Sequence, residues 1–598
     1  MNIFQSLFSS LEACNFKSIF WVIIFFGSSI FVHELGHFIA AKRKKLFVPR
    51  FSIGFGPRLF SKNIKGTEFC ISLFPLGGYV ALPQLMQIKE LEGEYKMPAD
   101  TPSISCTDRI IVSAMGVIFN IFFALILATV LWISGIEYPQ STMNNTIGYV
   151  VPEITLPNGE KIISPARQAG LKIGDKITAI DHIATNNLLD IMNGIALGRE
   201  RDSQGPISTL TILGDGQCYD LIVHPILVEQ NRRAKESLRM IGIETFQELI
   251  IKKVYKHSPA ERVSLQKGDK ILSINDQKVF SYSQFNDILE QNNEFQLTVE
   301  RNKKPLTFPI RREKLFLTRP CLKITTEYGI FEVLPIFSDK NSIHDPYKDA
   351  CSLQLLSISS QLKDKFPQWE VGDTIGKIQH QERDNIADSF FIFQNAIDRS
   401  VIITLHQQDF PISIEKAELI PAKEYPSIGI EVCGTRILSH QNPFSQIKES
   451  IDFTFRTLRS LLSPSSDIHL KNLSGPPAIL DTLYTFAGCD MRLLLWFVII
   501  LNVNLAIVNL IPFPVLDGGI IALTLLEKIC QRKIATRILA GTQLIFILLF
   551  VGFMIYISFF DINKILEKHD MERHYRKQQR LMIDEQLFWN SFSTSHPS

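Results

Sequence analysis

No CxxC pair occurs in this 598-residue chain, and its nine cysteines (positions 14, 70, 106, 218, 321, 351, 433, 489 and 530) are scattered and odd in number. That pattern speaks against a disulfide framework and against a cysteine-based zinc site. A surplus of one charge is also missing: Lys and Arg total 62, Asp and Glu 60, for a net charge of +2. Nucleic acid held by bulk charge requires a basic surplus, so no nucleic-acid partner is expected. No GxSxG nucleophile elbow appears, which removes the usual signature of a serine hydrolase. Charged residues make up 20%, below the roughly 25% usual in soluble domains, while hydrophobic residues reach 46%. Disorder and collagen are excluded, and a membrane protein with a sizeable soluble part is indicated. The length fits about four domain-sized units.

Long apolar runs are present. Four stretches, 18–41, 110–134, 493–511 and 538–560, are long enough to cross a bilayer, which takes about 20 residues. The first runs straight into Lys42-Arg43-Lys44-Lys45 with no small-residue cleavage site, so it reads as an uncleaved span. Those basic residues, with Arg50 and Arg58, flank the first span; Lys528, Arg532, Lys533 and Arg537 lie between the third and fourth. Both loops are therefore expected in the cytoplasm, and 135–490 on the opposite side. The basic tail after the fourth span (Lys568 to Arg580) points the other way, but early loops outweigh tails.

Within the first span lies His33-Glu34-Leu35-Gly36-His37, an HExxH pattern. Residues i and i+4 share one helix face, so both imidazoles can reach one metal ion, with Glu34 beside it as a base. Two buried His at a helix end would be the bland reading. Three ionisable residues within one turn of an apolar span are costly, however, and such residues are functional by default. A hydrolytic zinc site needs a third ligand and an open position. The third span ends in Asn509-Leu510-Ile511-Pro512-Phe513-Pro514-Val515-Leu516-Asp517-Gly518-Gly519. Two prolines end the helix there. Asp517 alone would read as a helix N-cap; paired with HExxH at the same depth, it reads as the third ligand.

HELGH in the first span together with NLIPFPVLDGG in the third resembles the site-2 protease family of intramembrane zinc metalloproteases, in its bacterial regulator-of-sigma-E branch. The resemblance covers nearly the whole chain except a long insert near 315–430. It implies Zn2+ held by His33, His37 and Asp517, Glu34 as catalytic base, and Asn509 on the substrate or the oxyanion; Asn504 is a weaker candidate for that role. Phe74-Pro75-Leu76-Gly77-Gly78-Tyr79-Val80 is similar to the family's membrane-dipping hairpin, implying substrate contact by strand addition at Gly77 and Gly78. A plain Gly-Gly hairpin turn is the alternative. Leu473-Ser474-Gly475-Pro476-Pro477 is similar to the family's segment before span three. At Ala114-Met115-Gly116-Val117 the family's proline is missing, while Asn120 is kept.

The segment 135–490 holds an internal repeat. Ser164-Pro165-Ala166 leads to Gly174-Asp175 and an alternating strand; Ser258-Pro259-Ala260 leads to Gly268-Asp269 in the same way. Both copies resemble PDZ domains. In the first, Ile147, Gly148 and Tyr149 stand where a PDZ loop would capture a peptide carboxylate. Gly372-Asp373 marks either a degenerate third PDZ-like unit or divergent β structure inserted into the second. The modules would bind a substrate C-terminus or act as a size filter, the filter being favoured. Residues 444–462 form an amphipathic pattern, either lying on the outer membrane surface or packed on the PDZ pair.

The expected fold is therefore a polytopic α-helical membrane protein with four transmembrane helices and β-rich extracytoplasmic PDZ-like domains. Its expected divisions are 1–134 (spans one and two, HExxH, hairpin), 135–230 and 240–315 (PDZ-like), 316–432 (insert), 433–490 (amphipathic helix and Gly-Pro segment), 491–565 (spans three and four) and 566–598 (tail). The expected function is zinc-dependent cleavage inside single-span membrane proteins, anti-sigma factors or remnant signal peptides, after trimming by a site-1-type protease. The expected location is the bacterial inner membrane, in contact with the lipid bilayer. The rival is a proteolytically inactive PDZ-containing membrane scaffold, which the intact Glu34 opposes.

Overall fold

The structure is a computed structural model describing residues 16–85, 104–156, 159–231, 236–256, 258–316, 320–337, 351–379, 386–397, 399–405, 407–421, 424–531 and 536–581. Arg532, Lys533 and the tail beyond 581 lie outside the described residues.

Four helices are long and apolar enough to cross a membrane: Phe16–Arg43, Cys106–Ser134, Met491–Leu510 and the stretch Gly541–Glu572 of a 46-residue helix, Thr536–Leu581. Local chemistry sets their ends. Ser105 caps the second span by accepting the Asp108 N–H at 3.1 Å, and Gly135, at φ 68°, turns the chain out of it. Asp490 caps the third by accepting the Arg492 N–H at 2.8 Å. The first three spans share one core, including Val22, Ala124, Leu127, Leu131, Leu494, Val498 and Val503. The first and second spans approach so closely that a Cβ on Gly36 would lie 2.4 Å from the Met115 carbonyl oxygen. Small residues at such crossings are how membrane helices reach backbone contact.

Between the first two spans the chain forms a hairpin, Arg50–Ile64 with Thr67–Val80. Its turn is Lys65-Gly66, both at positive φ, so Gly77-Gly78 is not the turn. The second strand folds back instead. Residues 51–53 pair with 69–71 on one side and with 78–80 on the other, which makes 78–80 an outer strand.

The β-rich part leaves from the ends of the second and third spans opposite the hairpin. Ile136–Pro139 leaves the second span and pairs with Arg436–Ser439 on the return, forming a two-stranded stalk. Beyond it stand three β-rich modules, each with its own apolar core. Each fastens a Gly-Asp turn to one of its strands in the same way. In the first, Ile147 N–H donates to the Asp175 carbonyl (2.8 Å), Gly174 N–H to the Ile147 carbonyl (2.8 Å), and Lys172 N–H to Asp175 Oδ2 (2.9 Å). The second repeats this with Ile251, Asp269, Gly268 and Gln266, and the third with Leu355, Asp373, Gly372 and Glu370. The three glycines sit at φ 96°, 96° and 111°, where a Cβ is strained.

The module boundaries differ from the sequence expectation. Strands Glu236–Met240 and Ile243–Thr245 lie beyond 230 yet belong to the first module, where Ile243–Thr245 pairs with Ile147–Val150. The matching strand of the second module is Ile430–Gly434, which pairs with Leu249–Val254 across the whole insert. The insert enters between Glu313–Phe316 and Glu424–Ser427, an antiparallel pair. In the first module the equivalent pair is Ile226–Asn231 with Glu236–Met240. The third module thus occupies a hairpin tip of the second, a place where chains tolerate insertion. It folds as a seven-stranded sheet around Phe331, Trp369 and Phe393.

The amphipathic segment is the helix Pro443–Leu461, and it packs on the second and third spans through Ile447 and Ile451. Gln446 Nε2 donates to the Ala128 carbonyl (3.4 Å), and Ser460 donates to the Leu197 carbonyl of the first module (2.8 Å). Neither expected placement describes this fully: the helix braces the first module against the spans. Phe453 and Phe455 remain exposed. After it, Pro476–Cys489 starts at Gly475, whose N–H, like that of Ala478, reaches Asp561 of the fourth-span helix (2.8 and 3.3 Å).

Candidate functional site

Helical spacing puts His33 and His37 on the buried face of the first span, their rings 4.7 Å apart. Asp517 reaches them from the turn after the third span. That turn is tight because two glycines follow: a Cβ on Gly518 would lie 2.2 Å from the Leu510 carbonyl oxygen, and one on Gly519 1.9 Å from that of Phe513. The Pro512-Phe513-Pro514 loop therefore folds directly onto the first turn of Asp517–Cys530.

Three atoms converge. His33 Nε2 and His37 Nε2 are 3.1 Å apart, and Asp517 Oδ2 lies 3.2 and 3.3 Å from them. Among the described residues this is the group of His, Cys, Asp and Glu whose atoms could hold a metal ion. Their hydrogen bonding says what faces what. His37 Nδ1–H donates to the Val112 carbonyl at 2.8 Å, so its Nε2 carries a lone pair. His33 Nδ1 faces the Asn120 amide at 3.2 Å, and Asn120 Oδ1 has no other partner. With that oxygen turned to Nδ1–H both are satisfied, and His33 Nε2 likewise carries a lone pair. Asp517 Oδ2 is buried with no hydrogen-bond partner. Three lone pairs thus face one another, an arrangement that a positive charge between them, a shared proton or a metal ion, makes favourable. Tetrahedral zinc with bonds of about 2.0–2.1 Å separates its ligand atoms by roughly 3.3–3.4 Å, close to the size of this triangle. Two imidazoles and a carboxylate, with a fourth position open, are also the donor set of hydrolytic zinc.

Around the triangle stand the other expected residues. Glu34 Oε2 accepts the Val80 N–H at 3.1 Å, tying it to the outer strand of the hairpin. Gly78 lies on that strand, and a Cβ added there would be 3.6 Å from Glu34 Cγ. Gly77 precedes it in the same strand and is buried. Asn509 Nδ2 lies 3.5 Å from His33 Nε2. Asn504 is turned elsewhere and accepts the Thr454 hydroxyl at 2.5 Å.

Residues 21–553 match the family described as peptidase family M50. The chain belongs to that family. A Chlamydia pneumoniae protein named as a zinc metalloprotease is 23% identical to this M50 chain, covering 90% of it and 97% of the relative. The regulator of sigma E protease of Haemophilus influenzae is 26% identical, covering 86% and 92%. Regulator of sigma-E protease RseP of Salmonella typhimurium is 25% identical, covering 87% and 94%. This M50 protein is a membrane-spanning zinc metalloendopeptidase with three β-rich modules between its second and third apolar helices.

One expectation fails. Ile147, Gly148 and Tyr149 do not form an open carboxylate-binding loop. They belong to a strand paired with Ile243–Thr245, and the Ile147 N–H is already given to Asp175. A Cβ on Gly148 would lie 2.7–2.8 Å from Phe246 Cα and N and the Phe280 carbonyl oxygen, so that side of the strand is packed against neighbouring backbone. Tyr149 donates its hydroxyl to Asp287 of the second module, and burial, with that carboxylate beside it, pushes its pKa up, so it stays a donor. These residues join the two modules.

Sequence reasoning also missed the part played by the second span. Val112, Gly116 and Asn120, at i, i+4 and i+8, face the two imidazoles. A Cβ on Gly116 would lie 2.4 Å from His37 Nε2. The available signal was Asn120 itself, a polar side chain inside an apolar span.

Proposed function

We propose that His33, His37 and Asp517 hold the zinc, that Glu34 is the catalytic base, and that Asn509 steadies the substrate backbone or the oxyanion. The observation that carries this reading is the triangle of lone-pair atoms at 3.1–3.3 Å, with Asp517 Oδ2 lacking any hydrogen-bond partner. Bound there, zinc supplies a Lewis acid that polarises the scissile carbonyl and makes a water nucleophilic near neutral pH. Glu34 takes one proton from the attacking water as its oxygen bonds to the carbonyl carbon, then passes that proton to the departing nitrogen as the C–N bond breaks. Asn509 offers an amide N–H beside the site for the developing negative oxygen.

The substrates we infer are single-span membrane proteins, cut within the span after a site-1-type protease has trimmed them. The relatives named as regulators of sigma E support an anti-sigma factor-like substrate; remnant signal peptides share the same chemistry. A transmembrane helix must unwind to be cut, and the outer strand 78–80 beside Glu34, with Gly77 and Gly78, offers an extended template. The positive-inside rule supports an inner-membrane orientation with the hairpin cytoplasmic and the modules outside.

The test is cleavage of a single-span reporter in liposomes by the wild type and Glu34→Gln, with zinc measured on both. Cleavage inside the span by the wild type, with a zinc-loaded but inactive variant, is the expected result. Equal cleavage by both would remove Glu34 from its role, and absence of zinc from both would remove the site.

A further inference from the structure

The two imidazoles are held from behind by one helix that supplies no ligand. The second span gives His37 Nδ1–H a backbone acceptor, the Val112 carbonyl at 2.8 Å. One turn on, Gly116 leaves the space that any side chain would take from His37 Nε2. Another turn on, Asn120 presents its amide to His33 Nδ1 at 3.2 Å. Asn120 is fully buried, and its Oδ1 finds no partner except the one that a turn of the amide toward His33 supplies. Placing an amide in an apolar span is costly unless it is satisfied, and the polar group within its reach is the histidine.

We propose that Asn120 is the positioning residue of His33: its amide oxygen accepts the Nδ1–H, which locks the tautomer and aims Nε2 at the zinc. Val112 does the same for His37 through its carbonyl, a group no side-chain substitution removes. The two histidines thus differ in kind. One has a backbone partner that is always present, the other a side-chain partner that can be lost. Partners of this sort raise ligand basicity and fix ring orientation, and losing one typically weakens metal binding by about 10–100-fold.

This inference rests on the zinc-ligand reading above, and the experiment separates the two. The full chain in detergent is loaded with zinc and titrated with a chelator of known affinity, and retained zinc is measured. Asn120→Leu is expected to release zinc at roughly 10–100-fold lower chelator strength than the wild type. Asn120→Asp keeps an acceptor oxygen and is expected to retain zinc at least as well. Asn502→Leu is the structural control. Asn502 is equally buried, bonds Ser29 (2.9 Å) and the Val498 carbonyl (2.8 Å), and should leave zinc retention unchanged. The cobalt-substituted protein gives a second readout: its visible spectrum should shift in Asn120→Leu and not in Asn502→Leu. Wild-type retention by Asn120→Leu, or equal loss in Asn502→Leu, overturns the proposal. If His33→Ala retains zinc like the wild type, the ligand reading itself has failed.

Discussion

Thr454, on the helix returning from the β-rich modules, donates its hydroxyl to Asn504 Oδ1 in the third span, at 2.5 Å. Asn509 stands five residues further along the same helix, beside His33. Both asparagines are polar residues in an apolar span, and sequence alone makes both candidates for substrate contact. The structure separates them, because Asn504 is engaged in bracing. Asn504→Ala should leave kcat/KM close to wild type while lowering stability by about 0.5–1.5 kcal/mol, the net contribution of one hydrogen bond, since the Thr454 hydroxyl keeps the Ser450 carbonyl as an acceptor at 2.8 Å. Asn509→Ala should do the reverse, cutting kcat/KM by about 100-fold or more with thermal unfolding unchanged. Reporter kinetics and a thermal melt on the two variants check both halves.

The Glu34–Val80 bond gives a second prediction. Glu34→Gln loses the base but keeps an oxygen to accept the Val80 N–H at its present place. Glu34→Ala loses both. Both variants should be inactive, yet only the alanine variant should free the strand 78–80. A hydrogen bond to a charged group contributes about 1.5–3 kcal/mol, so the strand should open roughly 10–100 times more often. Hydrogen exchange across 76–81 reads this directly: equal protection in both variants would mean that Glu34 does not hold the strand.

The spacing of His33 and His37 made the metal face legible, since i and i+4 share a helix side whatever the rest of the fold does. Asp517 was legible from the two prolines and two glycines around it, which allow little but a tight turn. The Gly-Asp turns were legible because each demands a positive φ just before an apolar strand. What stayed hidden depends on distant pairing. The same Ile-Gly pair opens residues 147–148, 241–242 and 428–429, and nothing local says which of these strands keeps an open edge. The strand closing the second module at 430–434 is separated from the rest of that module by the entire insert. The acceptor for His37 is a backbone carbonyl, which no residue type announces.

A third prediction concerns how the first module is held over the spans. Arg239, whose side chain is fully buried, donates through Nε to Asp467 Oδ2 at 2.7 Å, and Arg201 also pairs with Asp467. Asp467 lies in the loop just past the bracing helix. Removing one partner of a buried pair leaves an uncompensated charge and costs about 3–5 kcal/mol, whereas replacing both with apolar residues is often nearly neutral. Asp467→Ala should therefore loosen the first module, seen as faster proteolysis between 197 and 240. Arg239→Met combined with Asp467→Leu should recover much of the protection. If the single change left proteolysis unaltered, the pair would not be what fastens the module.

The last prediction follows from where the third module enters. Glu313–Phe316 and Glu424–Ser427 form the same antiparallel pair that Ile226–Asn231 and Glu236–Met240 form in the first module. In the first module that pair is joined by Arg232-Arg233-Ala234-Lys235. The third module also has a core of its own, containing Phe331, Trp369 and Phe393, so excising it exposes little that the second module needs. Replacing 317–423 with those four residues should give a chain that folds, loads zinc and cuts the reporter, because shortening a loop between strands that already pair lowers its closure entropy. Thermal unfolding and reporter cleavage on the excised chain test this. A folded, zinc-loaded chain that no longer cuts would assign the third module a part in substrate handling, whereas an unfolded chain would show that Ile430–Gly434 needs the module to find its place beside Leu249–Val254.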